Sequence, residues 1–196
     1  MPENHDRPSR SVRLDHRQVR VLAHPLRLRL LGALRVDGPA TATTLADKLD
    51  TNTGATSYHL RQLAEVGLVT EDPDRGVGRQ RWWRAAHDSS NFEPSDYDDD
   101  PDARAAVEWI QSHQLRFLTE HADRWHTARQ TWSARWRDAA GMGDALLVIG
   151  PDRLQALEQE IWQVVQRYQQ ESPADEPDAR PVHLFHAAFP RTEPDR

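Results

Sequence analysis

The sequence predicts a mainly α-helical fold with a small β component, arranged as an N-terminal domain and a C-terminal unit. Its 196 residues are enough for one large or two small domains, and apolar residues recur at helical spacing along most of the chain. Residues 1–86 contain 14 basic and 10 acidic residues, a net charge of +4, whereas residues 87–196 contain 11 and 21, a net charge of −10. A basic domain joined to an acidic unit suits a module that binds a polyanion.

The composition excludes several classes of protein. The longest apolar run, residues 145–149, is far shorter than the about 20 residues that span a bilayer. The charged and polar N-terminus lacks the apolar stretch of a secretory signal, so we expect a cytoplasmic protein. The chain has no cysteine, which excludes disulfides, thiolate nucleophiles and thiolate metal sites.

Four helices are predicted after a polar, disordered lead-in over residues 1–11. Pro25 separates the first two, because proline disfavours the α conformation in the residue before it and suits the first position of a helix. Gly67 ends the fourth helix, and Thr41 or Thr43 is a suitable N-cap for the third. The predicted helices cover residues 14–23, 25–37, 42–49 and 53–66.

A β-hairpin is predicted after the fourth helix. Its strands, residues 68–71 and 80–84, lie on either side of a long, glycine-containing tip. Because strand side chains alternate, Trp82 and Trp83 are expected to point to opposite faces, with one of them in the core. Two helices, a short helix, a tight turn, a fourth helix and a hairpin make a winged helix-turn-helix domain, which we place at residues 12–86.

Three sequence blocks within this domain resemble those of the ArsR-type transcriptional regulators. They are LAHPLRLRLL at residues 22–31, TSYHLRQLAEVGLV at residues 56–69 and GRQRWWR at residues 78–84. The resemblance covers roughly residues 14–86 and implies a winged helix-turn-helix fold that binds double-stranded DNA. The metal-responsive members carry a cysteine pair in the short third helix, and this chain has no cysteine. We therefore expect no metal and no other cofactor.

The fourth helix is the expected recognition helix, because the helix at this position enters the major groove. At about 100° per residue, its apolar side chains fall on one side and its polar side chains, with one tyrosine, fall on the other. His59 lies at the flank, where packing or a phosphate contact suits it better than base recognition. A merely solvated helix face is the alternative interpretation. The candidate DNA-contacting residues are Thr53, Gly54, Ser57, Tyr58, His59, Arg61 and Gln62.

The hairpin tip is the second candidate contact with DNA. Its glycines make the tip flexible, and its arginines can lie against phosphates or enter a minor groove. Any basic hairpin would share this pattern. The candidate wing residues are Arg75, Gly76, Gly78 and Arg79.

The acidic segment at residues 87–101 is interpreted as an inter-domain linker. Residues 102–190 are predicted to form a C-terminal unit for dimerisation or effector binding, followed by a tail at residues 191–196. Its elements alternate between helix and strand, which makes a small α/β element after a long helix. They are a helix at 102–139, a strand at 145–149, a helix at 152–170 and a strand at 182–189.

An aromatic stripe runs along the predicted long helix and includes two polar residues. It is a dimer seam, the lining of a pocket for a small organic effector, or an intramolecular core with two satisfied polar groups. We find no glycine-rich phosphate loop, nucleophile elbow or carboxylate pair, so we expect no enzyme. The candidate seam or pocket residues are Gln114, Phe117, His121, Trp125 and Trp132.

These patterns together favour a DNA-binding transcriptional regulator, a homodimeric repressor that reads an inverted repeat in the major groove. The first helix, with Leu14, Val19 and Leu22, and the long helix are the expected dimer seams. The alternative function is a winged-helix module for protein interaction or assembly without specific DNA readout. An interaction module tends to expose apolar anchors, and the outward face of the fourth helix offers a single tyrosine, Tyr58.

Overall fold

A computed structural model describes residues 10–75, 81–171 and 176–191 of the chain. The chain divides into two compact units, of which the first ends at Phe117 and the second begins at Leu118. Among the described residues, no helix is both long and apolar enough to cross a membrane. The helices are α1 His16–Leu22, α2 Pro25–Val36, α3 Ala42–Lys48, α4 Thr53–Glu65, α5 Pro101–Ala128, α6 Ala134–Ala139 and α7 Pro151–Glu171.

The strands are short and lie in the first unit, with short 3-10 turns at Pro73–Arg75 and Pro94–Tyr97. Their bounds are β1 Ser11–Arg13, β2 Ala40–Thr41, β3 Val69–Glu71, β4 Trp82–Ala85 and β5 Ser89–Asn91. One sheet has three antiparallel strands in the order β2-β4-β3, and a second sheet pairs β1 with β5 in parallel.

Local side chains fix the ends of the first four helices. The Asp15 side chain accepts a hydrogen bond from the Gln18 amide in a capping box that begins α1. The Thr41 side chain accepts a hydrogen bond from the Thr44 amide and so caps α3. Pro25 is the first residue of α2, as its fixed φ angle favours. Gly67, just beyond α4, has a φ of +72°, a left-handed conformation that glycine adopts without a steric cost.

The core of the first unit lies between α1, α2, α4 and the three-stranded sheet. Leu30, Leu60 and Leu63 are fully buried there. Trp83 on β4 points into this core and Trp82 is half-buried, so the predicted alternation of the two tryptophans is confirmed. The mainly helical class with a winged helix-turn-helix domain is likewise confirmed.

Residues 87–101, interpreted from the sequence as a linker, belong to the first unit and pack into it. Strand β5 pairs with β1, and the fully buried Tyr97 donates a hydrogen bond from its hydroxyl to the Leu14 carbonyl at 2.5 Å. The Asp100 carboxylate accepts the Ala103 amide at 2.9 Å at the start of α5. This backbone hydrogen bond, with those from His16 and Arg20, lowers the pKa of Asp100 to about 2.

The second unit differs from its prediction in two respects. The long helix expected over residues 102–139 ends at Ala128, and α6 begins only after Ser133. The Thr131 hydroxyl bonds back to the Ala128 carbonyl at 2.7 Å, and Ser133 caps α6, so two short polar side chains replace helical hydrogen bonds.

The two strands predicted in the second unit do not form. Residues 145–149 and 182–189 have no regular secondary structure, and Val148 is 97% exposed. A strand needs a hydrogen-bonding neighbour, and a short apolar run alone does not supply one. The helix predicted over residues 152–170 is present as α7, which extends one residue further at each end.

Candidate nucleic-acid interface

The start of α4 is shaped by its N-cap. The Asn52 side chain accepts a hydrogen bond from the Ala55 amide at 2.7 Å. A Cβ atom at position 54 would lie 3.3 Å from Asn52 Oδ1, so glycine is the residue that leaves this cap undisturbed. The same lack of a side chain leaves the exposed first turn of α4 open to close approach by a ligand.

Helix α4 presents opposite faces to the core and to solvent. Thr56, Leu60 and Leu63 are buried. The opposite side consists of hydrogen-bonding side chains around one large ring, that of Tyr58, which is 51% exposed. Of the predicted contact residues, Thr53, Gly54, Tyr58 and Arg61 are exposed, and Ser57, His59 and Gln62 are half-buried.

The polar side chains of this face bond within α4. The Arg61 Nε atom donates to the Ser57 carbonyl at 3.2 Å, and the Gln62 amide donates to Glu65 at 3.1 Å. Both interactions are on the surface, where such hydrogen bonds contribute little because water competes for them. The guanidinium of Arg61 can therefore turn toward a ligand at small cost.

His59 packs behind the exposed face. Its ring lies 4.3 Å from that of His24, centre to centre, and 5.1 Å from that of Tyr58. Burial, followed by the nearby His24 and Arg27, lowers the pKa of His59, so its imidazole is neutral at pH 7. Among the described residues its Nδ1 atom is buried without a hydrogen-bond partner. The structure thus places this predicted contact residue between α4 and α2.

Sequence reasoning missed His24 and Arg27 as neighbours of the recognition helix. The His24 Nδ1 atom accepts the Leu26 amide at 3.1 Å and so caps α2, while the Arg27 Nε atom donates to the Val21 carbonyl. Burial lowers the pKa values of both side chains. The sequence signal was the His24-Pro25 pair, since a polar residue just before a proline is a typical helix start.

The wing is described only in part. Arg75 lies 3.9 Å from the Asp72 carboxylate, and its guanidinium lies 6.0 Å from the centre of the Trp82 ring. Both contacts keep Arg75 beside the hairpin. The other predicted wing residues, Gly76, Gly78 and Arg79, lie outside the described residues.

The predicted seam or pocket residues do not come together as one set. Gln114 and Phe117 belong to the first unit, whereas His121, Trp125 and Trp132 line a cleft in the second. Across the described parts of the chain, no three histidine or acidic side chains are close enough to hold a metal ion.

A helix-turn-helix followed by a winged hairpin, with a polar exposed face on its last helix, defines a winged helix-turn-helix DNA-binding domain. Residues 22–72 match a protein family described as "Helix-turn-helix domain". No curated protein matches the chain.

Solved structures also resemble parts of the chain. A possible transcriptional regulator for arsenical resistance is 31% identical, with 54% of this chain and 95% of that chain covered and a TM-score of 0.31. The homodimeric winged helix-turn-helix DNA-binding domain of a possible ArsR-family transcriptional regulator from Mycobacterium bovis is 24% identical, covering 50% and 79%, with a TM-score of 0.34. A transcriptional regulator from Thermotoga maritima is 12% identical, covering 77% and 85%, with a TM-score of 0.30.

The chain therefore contains a winged helix-turn-helix domain, and residues 22–72 of it belong to the helix-turn-helix family that they match. The three solved structures carry no part of this assignment, since their TM-scores are below 0.5.

Proposed function

We propose that the protein is an ArsR-type regulator that represses transcription in the cytoplasm as a homodimer whose two α4 helices read an inverted repeat in the major groove of DNA. The observation that carries the proposal is the polar face of α4, which is exposed while the rest of the helix is locked into the core by Thr56, Leu60 and Leu63. A rigid helix with short hydrogen-bonding side chains at its start matches the way such helices reach base edges.

The residues of this face have distinct proposed roles. Thr53 and Ser57 contact base edges or adjacent phosphates near the start of α4, and Gly54 lets the backbone approach. Arg61, released from the Ser57 carbonyl, pairs with a guanine, the commonest base partner of arginine. His59 supports Tyr58 from behind through their ring contact.

The wing supplies contacts that depend less on sequence. Arg75 and Arg79 contact phosphates on either side of the glycines at the tip, and these contacts fix the register of the domain on the duplex. The Arg75–Asp72 pair is exposed on the arginine side, so a phosphate can replace Asp72 as its partner.

The first helix, one of the two dimer seams that the sequence suggested, does not suit a second copy. Leu14, Val19 and Leu22 are buried inside the single chain, so they are not available to a second copy. We place the seam in the second unit, where large apolar side chains are exposed and covering them would stabilise a dimer. They include Leu146, Leu147, Val148, Trp162, Val164 and Tyr168.

Selection of random duplex DNA on the purified protein at about 0.15 M salt tests this function, because non-specific phosphate binding is weak there. We expect an inverted repeat whose half-sites lie about one helical turn, or about 10 base pairs, apart. Recovery of half-sites without symmetry would contradict the dimer. Recovery of no preferred sequence would favour the interaction module instead.

Two arginine variants then separate base readout from phosphate contact. Arg61→Ala should weaken binding to the selected site by about 1–3 kcal/mol and relax the preference at one position, whereas Arg79→Ala should weaken binding to all sequences evenly. Arg116→Ala, an exposed position on α5, is the matched control. Equal affinities for all three variants would exclude α4 as the recognition helix.

A further inference from the structure

A cleft of about 770 Å³ lies within the second unit, a volume typical of sites for small organic molecules. One wall is the end of α5, where His121 and Trp125 stand one helical turn apart on the same face. Trp136 and the segment that contains His183 and Phe185 form other parts of the lining. No residue of the first unit lines this cleft in the described parts of the chain.

Two aromatic clusters form the walls of the cleft. The Trp132 ring lies 6.0 Å from that of Trp125 and 5.8 Å from that of Trp136, centre to centre. In the second cluster, the ring of Phe185 lies 5.8 Å from that of His121. Rings at these angles and distances offer flat faces and edges against which a planar ring can stack.

The charged side chains that line the cleft are all positive. Arg124, Arg129, Arg137 and Arg180 line it, and no carboxylate is found among the described lining residues. This composition is unexpected because residues 87–196 carry a net charge of −10. Four guanidinium groups gathered beside aromatic walls favour an anion as the occupant.

His121 and His183 lie beside one of these arginines. Arg124 donates a hydrogen bond to His121 Nδ1 at 2.9 Å, and the His183 ring lies 5.0 Å from that of His121. Burial lowers the pKa of His183, and His121 and Arg124 lower it further. His183 is therefore mainly neutral at pH 7, and the positive charge of the cleft is that of its arginines.

We infer that this cleft binds a planar aromatic anion, with its ring stacked against the tryptophan cluster and its carboxylate against the arginines. Arg137 now donates to the Gln130 side chain at 3.0 Å, a surface hydrogen bond that a carboxylate can replace with a bidentate pair. That such a ligand controls DNA binding rests on the proposed function; the binding itself does not.

Calorimetric titration of the full chain with 2-naphthoate tests the inference, with 2-naphthamide as the neutral probe of the same shape. We expect naphthoate to bind at least about tenfold more tightly than the amide, and its advantage to shrink at high salt because screening weakens charge pairing. Equal affinities for the two probes, or binding of neither, would overturn the inference.

Matched variants locate the bound molecule. Arg137→Gln should weaken naphthoate binding about fivefold or more and leave the amide unaffected, whereas Arg135→Gln, two residues away on α6 and outside the lining, should change neither. Trp136→Leu should weaken both probes, and Trp109→Leu, which lies in the first unit and outside the lining, should weaken neither. Equal effects within each pair would place the ligand elsewhere. Circular dichroism checks that each variant is folded. If a variant of the arginine pair does not fold, the tryptophan pair decides the test.

Repeating the DNA selection with 2-naphthoate present separates this inference from the proposed function. A change in affinity for the selected site supports both. Naphthoate binding by a protein that selects no DNA sequence with or without the ligand would reject the proposed function and leave the cleft as a ligand site. DNA selection by a protein that binds no naphthoate would reject the cleft alone.

Discussion

The two units bury their apolar side chains to very different extents. In the first unit Leu30, Val19 and Leu60 are completely inaccessible, and every fully enclosed hydrophobic side chain of the described residues belongs to this unit. In the second unit no described side chain reaches the same burial, and Trp162 and Tyr168 of α7 are more than half exposed. The first unit therefore contains its own core, whereas the second has apolar side chains that remain to be covered.

This difference in burial means that the two units are stabilised in different ways. Burial of apolar surface contributes about 25 cal/mol per Å², and it contributes only where the surface leaves water. The first unit gains that contribution within one chain. The second unit would gain it fully only if a second copy covered α7 and the exposed apolar segment before it.

Truncation of one leucine in each unit should show the largest contrast. Leu60→Ala should lower the free energy of unfolding by about 2–5 kcal/mol, since it leaves a cavity in a closed core. Leu157→Ala, at a half-buried position of α7, should cost less than about 1 kcal/mol. Urea denaturation followed by circular dichroism measures both. Similar losses would mean that α7 is as well covered in solution as α4.

Dilution should sharpen the comparison further. If a second copy covers the second unit, a hundredfold dilution toward the dissociation constant should lower the protection of α7 amides from hydrogen exchange by up to about tenfold, or about 1.4 kcal/mol, because the monomer fraction of a dimer rises with the square root of the dilution. Amides of α2 and α4 should keep their protection because their core is intramolecular. Protection of α7 that does not change with concentration would exclude the proposed seam.

The first unit was largely predictable because its signals are local. Pro25, Thr41 and Gly67 each set a helix boundary through their own backbone preferences or hydrogen bonds, and all three act as predicted. The alternation of Trp82 and Trp83 follows from the geometry of any strand. Such signals need no knowledge of distant contacts.

The mispredicted segments depend on contacts that no local pattern encodes. The helix break near Thr131 arises from hydroxyl hydrogen bonds that compete only weakly with a helix, and the apolar periodicity continues across it. Residues 145–149 have strand composition without a partner strand. Residues 87–101 have the composition of a polar linker because Tyr97, their fully buried side chain, is surrounded by acidic residues in the sequence.

The candidate sites were predictable to a similar degree. Helical periodicity separated the outward residues of α4, such as Tyr58 and Arg61, from the buried ones. It could not show that His59 packs on His24, because the two are 35 positions apart in sequence. For the same reason it grouped Gln114 with cleft residues that the structure places in the other unit.

Tyr97→Phe should show how firmly residues 87–101 are attached to the first unit. The variant keeps the ring and removes the hydroxyl that bonds the Leu14 carbonyl, so a buried acceptor loses its partner. We expect a loss of about 1–3 kcal/mol in the free energy of unfolding, measured by urea denaturation. Phe92→Leu, beside Tyr97 but without a hydrogen bond, is the control for packing alone. No loss in Tyr97→Phe would mean that water satisfies the carbonyl.

The smallest effect concerns the histidine behind the recognition helix. Burial and neighbouring positive groups lower the pKa of His59 in the folded chain, so the unfolded chain takes up its proton first as the pH falls. The unfolded state then binds more protons, and stability decreases as the pH falls just below 6.5 and levels off once the folded chain is protonated too. His59→Gln should make the unfolding free energy of the first unit less dependent on pH in that window. His183→Gln, whose pKa is also lowered but which lies in the second unit, should leave that dependence unchanged. If both variants reduced it equally, the two units would unfold as one, and the contrast between them would fail.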